Sequence, residues 1–448
     1  METWPKLDLW LRIERLHPSA RLDYKLIVDG EWVLDPLNER VQWSGFGPNS
    51  VLSLPAWRDG RRPRPTDADR GALHPPQPYS HTSLDYSLEV AVYEPAGLER
   101  LNDSERAALP WLIVTDGHEY LEPELGGLAQ TADALLDSGA IEPLRIAFVD
   151  PRVAGHNRRA ELLIHHAEFA DFLADGLLPQ LRQRYGGSDD PRRTGILGTS
   201  LGGLHAAWMA LARPDAFRFH GCQSPAFEHG DNDLAEQLAR MDLSGHRLHL
   251  SSGDLHDGLQ STLDVIERLR NAEQSPSIAF RATREGHSWG QWAGLVDEVL
   301  IDFSRWAREA DWPSGGALLE DLRWDRRLLV MQSPLSDARR TVQTEAMRAH
   351  TLECLERDLI LVQLVGEEQL SFAGSTYYGL DPAPLRKQLD LPEGGEFAVR
   401  LVGKDGSIKL RSDEPLDLDE VLQLIDGMPM RQAEVEHDGQ PDTDGDGR

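Results

Sequence analysis

Cysteine is scarce in this sequence. Its 448 residues include two, Cys222 and Cys354, which lie far apart along the chain. This spacing does not indicate a disulfide framework, and no positively charged, apolar leader opens the chain. The sequence therefore predicts a protein of the reducing cytoplasm.

Long apolar runs and an excess of basic residues are also missing. No apolar stretch approaches the ~20 residues that a membrane-spanning helix needs. Acidic residues number 75 and basic residues 46, which gives a formal net charge of -29 at pH 7. Because nucleic acids and anionic membranes attract basic surfaces, this charge argues against both as partners. We also expect no metal and no cofactor.

The chain is too long for one domain of ordinary size, and its pattern changes along its length. Residues 1–80 have short alternating runs separated by Gly and Pro, which predicts a small antiparallel β-sandwich. Trp32 is expected in its core, with a sugar-binding surface as the alternative. Residues 81–312 alternate strands with helices, as in a largely parallel α/β sheet. Residues 318–432 follow the β-α-β-α-β-β-α order of a thioredoxin-like domain, without a C-x-x-C motif. The acidic residues 433–448 are expected to be disordered.

The central region contains a candidate nucleophile. Residues 198–202 read GTSLG, a G-x-S-x-G pattern that follows the strand-like "RTGILG" and precedes the helix-like "LHAAWMALA". Such a strand-turn-helix exposes a serine hydroxyl above the sheet, which makes Ser200 the candidate. The pentapeptide also occurs by chance, and a glycine-rich turn without chemistry is the plain alternative.

Candidate partners for Ser200 follow it in the order Ser, acid, His that α/β-hydrolases use. His287, in "EGHSWGQW", is expected to act as general base and then general acid. The acid is Asp254 or Asp257, both in "SSGDLHDG". Either could orient the imidazole, and the other would be a solvated carboxylate or a helix cap.

The oxyanion of an acyl-transfer reaction needs backbone donors nearby. The N–H of Leu201, the residue after the nucleophile, is the first candidate, and an N–H near Gly117 or His118 is the second. These two residues follow the strand-like "WLIVT". The His118 side chain could contact substrate or only be solvated.

Several of these motifs together resemble a known family. "TDGHEYL", "RRAEL", "GTSLGG" and "EGHSWGQW" occur in the order seen in enterochelin esterases and the broader putative-esterase (esterase D-like) family. The resemblance spans about residues 1–310, with "DYKLIVDGEWVLDPLN" similar to the immunoglobulin-like domain that precedes the hydrolase domain. It implies an α/β-hydrolase fold and serine hydrolysis of an acyl or siderophore-type ester, although some relatives work with a Ser-His pair. "LVGKDGSIKLRSDEP" resembles a bacterial thioredoxin-like domain of unknown function.

A ferric siderophore as substrate would need local cations, because a ferric catecholate is anionic and this protein is strongly acidic. We expect Trp289 with Arg158 or Arg159 above Ser200. An ion pair with Glu161 is the alternative for at least one arginine, and packing of the last helix is the alternative for the tryptophan.

A second hypothesis is a catalytically weak hydrolase scaffold whose C-terminal domain binds a protein partner. The missing C-x-x-C motif and the undecided acid motivate it. The nucleophile and base motifs, both in matching contexts, count against it.

Overall fold

The computed structural model describes residues 2–4, 9–11, 13–57, 59–61, 69–229, 233–308, 322–324, 326–334, 336–366, 369–372, 375–378 and 383–438. Among the helices of this part of the chain, none combines the length and apolar character that crossing a bilayer requires.

The N-terminal region consists of short antiparallel strands. They are β1 (Glu2–Trp4), β2 (Leu9–Leu11), β3 (Arg21–Tyr24), β4 (Leu26–Val28), β5 (Glu31–Val33), β6 (Val41–Gln42) and β7 (Asn49–Ser53). β1 pairs with β2, β4 with β5, and β7 with both β3 and β6. The immunoglobulin-like class stays a prediction. The core position expected for Trp32 is wrong, because 69% of this residue is exposed.

The central region contains a mixed sheet with helices between most of its strands. Its strands are β8 (Ala72–Tyr79), β9 (Leu88–Glu94), β10 (Trp111–Val114), β11 (Arg145–Val149), β12 (Arg152–Val153), β13 (His156–Asn157), β14 (Thr194–Thr199), β15 (Phe219–Gln223), β16 (Arg247–Leu255) and β17 (Ser277–Gly286). Its α-helices are α1 (Asp103–Ala107), α2 (Gly117–Leu121), α3 (Leu128–Asp137), α4 (Arg159–Leu163), α5 (Ala167–Asp171), α6 (Leu178–Tyr185), α7 (Leu201–Ala212), α8 (Leu234–Ala239), α9 (Leu259–Arg270), α10 (Trp289–Ala293) and α11 (Val296–Ala307). A π-helical segment, Phe172–Leu177, joins α5 to α6.

The main sheet runs in the order β8-β9-β11-β10-β14-β15-β16-β17. β9 is antiparallel to both neighbours, and the other strands of this order, β11, β10, β14, β15, β16 and β17, are parallel to one another. β10 shows why both faces are apolar: Trp111 and Ile113 pack into one core and Leu112 and Val114 into the other. The predicted α/β architecture is confirmed, and parallel strands of this kind end together at one edge, where an active site is expected.

The C-terminal region adds a second group of strands and helices. They are β18 (Arg327–Ser333), α12 (Ala338–Ala349), α13 (Thr351–Leu355), β19 (Leu359–Val365), β20 (Gln369–Phe372), β21 (Ser375–Tyr378), α14 (Ala383–Gln388), β22 (Ala398–Val402), β23 (Ile408–Ser412), α15 (Leu418–Asp426) and α16 (Pro429–Asp438). The order is β20-β19-β18-β22-β23, with β18 and β19 parallel. The thioredoxin-like class stays a prediction.

Two features of this region differ from expectation. β21 pairs antiparallel with β17, so the C-terminal strands continue the main sheet. The disorder expected for residues 433–438 is wrong, because α16 extends to Asp438. Glu434 binds Arg327 at 2.9 Å and Lys404 at 2.8 Å, which anchors the helix. The rest of the expected acidic tail, 439–448, lies outside the described residues.

The helix α7, which follows Ser200, carries a buried histidine that predicts acid sensitivity. Neither ring nitrogen of His205 has a hydrogen-bond partner within the described structure, and burial lowers its pKa to about 3. In the unfolded chain the pKa returns to the ordinary 6.5. The unfolded state therefore binds more protons below that pH, and the free energy of unfolding falls as the pH drops through this window.

His205→Leu should remove this loss. Between pH 7 and pH 5, we expect the wild-type free energy of unfolding to fall by about 2 kcal/mol more than that of the variant. Urea unfolding at the two pH values measures the difference, with the exposed His156→Gln as the matched control. Equal falls in His205→Leu and wild type would contradict the assignment.

Candidate active site

Ser200 occupies a strained turn between β14 and α7. Its φ and ψ are 59° and -117°, a conformation that is uncommon for a residue with a side chain. Its N–H donates to the Gln223 carbonyl at 2.9 Å. A Cβ atom on Gly198 would overlap the Gly202 backbone, and one on Gly202 would overlap the Thr115 side chain. The two glycines therefore permit the sharp turn that presents the serine.

Asp257 is the carboxylate that contacts the imidazole. Its buried side chain places Oδ1 2.6 Å from His287 Nδ1. Oδ2 accepts hydrogen bonds from the Gly253 N–H at 2.5 Å, the Ser224 hydroxyl at 2.7 Å and the Gln291 amide at 2.9 Å. These donors fix the carboxylate and leave Oδ1 to orient the histidine ring.

Asp254, the other aspartate of the same loop, has a different partner. Its carboxylate forms an ion pair with Arg284. The structure thus separates the two candidates that the sequence left open, since Asp257 contacts the imidazole and Asp254 does not.

Ser200 and His287 line one cavity of about 900 Å³ at the carboxyl edge of the sheet. The His287 side chain is 40% exposed, and its ring meets Trp292 edge to face with centroids 4.9 Å apart. Because Nδ1 faces Asp257, the opposite ring nitrogen, Nε2, is the one available to the serine.

The two residues predicted to donate to the oxyanion both lie at the start of a helix. Leu201 and Gly117 are the first residues of α7 and α2, where N–H groups have no carbonyl partner within the helix. A Cβ atom on Gly117 would overlap the backbone of Phe148, so α2 lies close against the sheet. Asp116 precedes Gly117 at φ 52° and shapes this turn.

Comparison with known proteins identifies the region that carries this geometry. Residues 81–303 match the family described as Putative esterase, and residues 318–434 match a domain of unknown function, DUF4174. This match defines the esterase domain of the chain, residues 81–303. The resemblance drawn from the sequence motifs is confirmed.

Enterobactin esterases are among the relatives of this esterase domain. The Iron(III) enterobactin esterase of Dickeya dadantii (strain 3937) is 31% identical over 206 residues, which cover 44% of this chain and 43% of that protein. The chain thus matches less than half of this relative's length.

Two solved structures share the fold. The enterobactin esterase FES of Shigella flexneri, determined in the presence of enterobactin, superposes with a TM-score of 0.51 at 21% identity, over 61% of this chain and 69% of that one. The ferric enterobactin esterase of Salmonella typhimurium gives a TM-score of 0.51 at 23% identity, over 63% and 70%. At these identities the likeness shows the fold alone.

Of the two arginines predicted to bind substrate in the esterase domain, one lies at the cavity. Arg159 lines it and also binds both carboxylate oxygens of the buried Asp116, at 2.9 and 2.8 Å. Burial raises the pKa of Asp116, and the Arg159 cation opposes that rise. Arg158 lies outside the lining: its guanidinium pairs with Glu161 and lies 4.0 Å from the centre of the Tyr86 ring. Arg158 thus has the ion pair with Glu161 that was the alternative for at least one arginine, and its contact with substrate stays a prediction.

Trp289 and His118 also border the cavity. Trp289 is only 2% exposed, and its ring packs edge to face against Tyr120 at 5.0 Å and Trp292 at 5.2 Å. The tryptophan is thus mainly a core residue whose edge reaches the site. His118 Nδ1 lies 3.5 Å from a carboxylate oxygen of Asp150.

Sequence reasoning missed the aromatic residues that the N-terminal region adds to the cavity. Trp32 and Phe46 line it with 69% and 98% of their surface exposed. It also missed Ser224 and Gln291, the donors to Asp257. Ser224 directly follows β15, and its position at the carboxyl end of a central strand was the available signal.

In the described residues, no three His, Cys, Asp or Glu side chains are grouped as ligands of a metal ion.

Proposed function

We propose that this protein is a serine ester hydrolase in which Ser200 is the nucleophile, His287 the general base and acid, and Asp257 the residue that orients His287. One observation carries the proposal: the strained Ser200 turn opens into the cavity that also holds His287, whose other face contacts a buried, fully hydrogen-bonded carboxylate.

The proposed reaction follows from these contacts. Ser200 Oγ attacks the ester carbonyl carbon while His287 Nε2 takes the hydroxyl proton, and Asp257 stabilises the resulting imidazolium. The N–H groups of Leu201 and Gly117 hold the negative oxygen of the tetrahedral intermediate. Collapse breaks the bond to the alcohol, which leaves with the proton from His287. Water then attacks the acyl-serine by the same route and frees Ser200.

We propose that the substrate is an aromatic acyl ester. A siderophore-type ester would be a larger member of this class. The cavity has room for such a molecule, and the exposed Trp32 and Phe46 offer ring faces for stacking, while Trp289 offers an edge. Its arginines are already compensated, since Arg152 pairs with Asp150 and Arg159 with Asp116. Aromatic contact therefore supports this substrate class more strongly than charge does.

The test is hydrolysis of p-nitrophenyl acetate and of larger aryl esters by the purified protein, with a fluorophosphonate as a probe of the nucleophile. We expect release of p-nitrophenol and a single label that mass spectrometry assigns to Ser200. An unlabelled Ser200 with no ester hydrolysis would overturn the proposal and favour the catalytically weak scaffold.

Trp32 and Phe46 should determine which esters are turned over efficiently. Stacking of an aromatic ring on an exposed aromatic side chain contributes about 1–3 kcal/mol. The double variant Trp32→Ala/Phe46→Ala should therefore lower kcat/KM for a bulky aryl ester by about tenfold. Turnover of p-nitrophenyl acetate, which does not reach these rings, should stay within about twofold. Trp43→Ala is the matched control, since Trp43 is exposed on the same region but lies outside the cavity lining. Equal losses on both esters would contradict a substrate-contacting role.

A further inference from the structure

A buried arginine of the N-terminal region reaches the loop that carries His287. Arg21, on β3, is 3% exposed. Its Nη1 donates to Ser288 Oγ at 3.2 Å and lies 3.6 Å from Glu285 Oε2. β3 also pairs with β17 at these positions, Arg21 opposite Glu285. One guanidinium thus contacts residues on both sides of His287.

The same guanidinium is held from the N-terminal side. Its Nη2 lies 3.1 Å from Asp23 Oδ1 and donates to Gln42 Oε1 at 3.2 Å. Its central carbon lies 5.8 Å from the centre of the Trp57 ring. With partners on both sides, the rigid fork of donors is fixed in one orientation, which a lysine ammonium could not reproduce.

The backbone after His287 packs directly on this group. A Cβ atom on Gly290 would overlap the Arg21 guanidinium, so the glycine admits the cation against the first turn of α10. Trp57 Nε1 donates to Glu285 Oε1 at 3.2 Å and adds a second link between the two regions. Burial raises the pKa of both the Asp23 and the Glu285 carboxyl, and the Arg21 cation opposes each rise. The loop around His287 is therefore fixed by contacts from outside the esterase domain.

We infer that Arg21 is a positioning residue for His287, through which the N-terminal region sets the catalytic histidine against Ser200 and Asp257. The inference rests on the proposed function for the catalytic role of His287. The ring itself is 40% exposed and has the Asp257 contact and the Trp292 edge to orient it. These contacts fix the orientation of the ring only if the backbone of His287 is itself held in place. The Arg21 contacts to Glu285 and Ser288 hold that backbone. Arg21 touches neither the serine nor the imidazole.

The first measurement is steady-state kinetics on a short aryl ester. Because a 1 Å displacement of a catalytic group costs about 10²-fold in rate, Arg21→Lys should lower kcat by about 10- to 100-fold while KM changes less than about twofold. Ser288→Ala, which deletes one Arg21 contact, should lower kcat by about threefold. Arg145→Lys is the matched control, because Arg145 is buried and paired with Glu94 but lies at the amino end of β11. It should retain wild-type kcat.

A second measurement does not depend on turnover. The proton between His287 Nδ1 and Asp257 should give a downfield resonance in the proton NMR spectrum, assigned by its absence in Asp257→Asn. We expect this signal to broaden in Arg21→Lys and Ser288→Ala but not in Arg145→Lys. If Arg21→Lys does not fold, Ser288→Ala and Glu285→Gln give the same test.

The outcomes separate the inference from the proposed function. Wild-type kcat and an unchanged resonance in the folded Arg21 or Ser288 variants would overturn the positioning role even with an active esterase. A wild-type protein that cleaves no ester, but whose resonance broadens in these variants, would overturn the proposed function and leave the positioning role supported.

Discussion

Ser200→Ala should lower kcat/KM for ester hydrolysis by about 10⁴-fold or more, the largest effect expected for any single change in this protein. Alanine keeps the strained turn, the backbone N–H of Leu201 and the His287–Asp257 contact, and it removes only the attacking oxygen. The backbone donors can still stabilise the oxyanion, but water must then attack in place of the serine, and that reaction is far slower. The fluorophosphonate label should disappear in the same variant.

The measurement is turnover of p-nitrophenyl acetate under saturating and limiting substrate, with circular dichroism to show that the variant folds. Ser261→Ala is the matched control, because that hydroxyl binds the Gly258 carbonyl at the start of α9. The double variant Ser200→Ala with His287→Ala should lose little more than Ser200→Ala alone, since both groups act in one proton transfer. Retention of a tenth of wild-type activity in Ser200→Ala would refute the nucleophile assignment.

Asp257→Asn should lower kcat by about 10⁴-fold, whereas Asp254→Asn should change it by less than about twofold. An asparagine amide facing His287 Nδ1 no longer holds the ring in the tautomer that presents a basic Nε2 to the serine. Asp254 has its own partner in Arg284, so its replacement affects an ion pair that is partly exposed and away from the imidazole.

Both aspartate variants are compared in one set of rate measurements across pH, with thermal unfolding recorded in parallel. The wild-type Asp257 carboxylate also accepts the Gly253 N–H and the Ser224 hydroxyl, so Asn at this site is expected to lower the melting temperature as well. Activity is therefore measured well below the transition. A larger loss in Asp254→Asn than in Asp257→Asn would reverse the assignment, and a loss below about tenfold in Asp257→Asn would indicate that the Ser-His pair suffices.

The turn at Ser200 was predictable because it depends on local chemistry. The turn at Ser200 requires small residues at Gly198 and Gly202, and that requirement is visible in five consecutive letters. The order of strands and helices around it is likewise readable from the apolar runs, since the central strands β10, β11, β14 and β15 are buried along their whole length.

The choice between Asp254 and Asp257 was not predictable, because it depends on residues distant in sequence. The register between β16 and β17 shifts between Gly253 and Leu255. At this irregularity Asp254 pairs with Arg284. Beyond it, Asp257 accepts hydrogen bonds from Ser224 and Gln291.

The exposure of the N-terminal aromatic side chains was also not predictable from the sequence. An alternating pattern in β5 shows that Trp32 lies on one face of a hairpin, but which face meets another element is decided by how the regions pack. The helix at residues 433–438 was missed for a related reason: its acidic composition suggests solvation, and the buried Arg327 that binds Glu434 belongs to a strand far back in the chain.

The strand β17 leads directly into His287, and both flanking regions pair with it: β21 covers Ile278 to Arg281, and β3 meets it at Glu285. As the last strand of the main sheet, β17 would otherwise present a row of unpaired N–H and C=O groups to any other extended chain. The two flanking regions therefore protect the sheet from edge-to-edge aggregation, and they do so on the strand that positions His287. An esterase domain expressed without these regions would expose the unpaired edge of β17, which is prone to aggregation, beside the candidate active site.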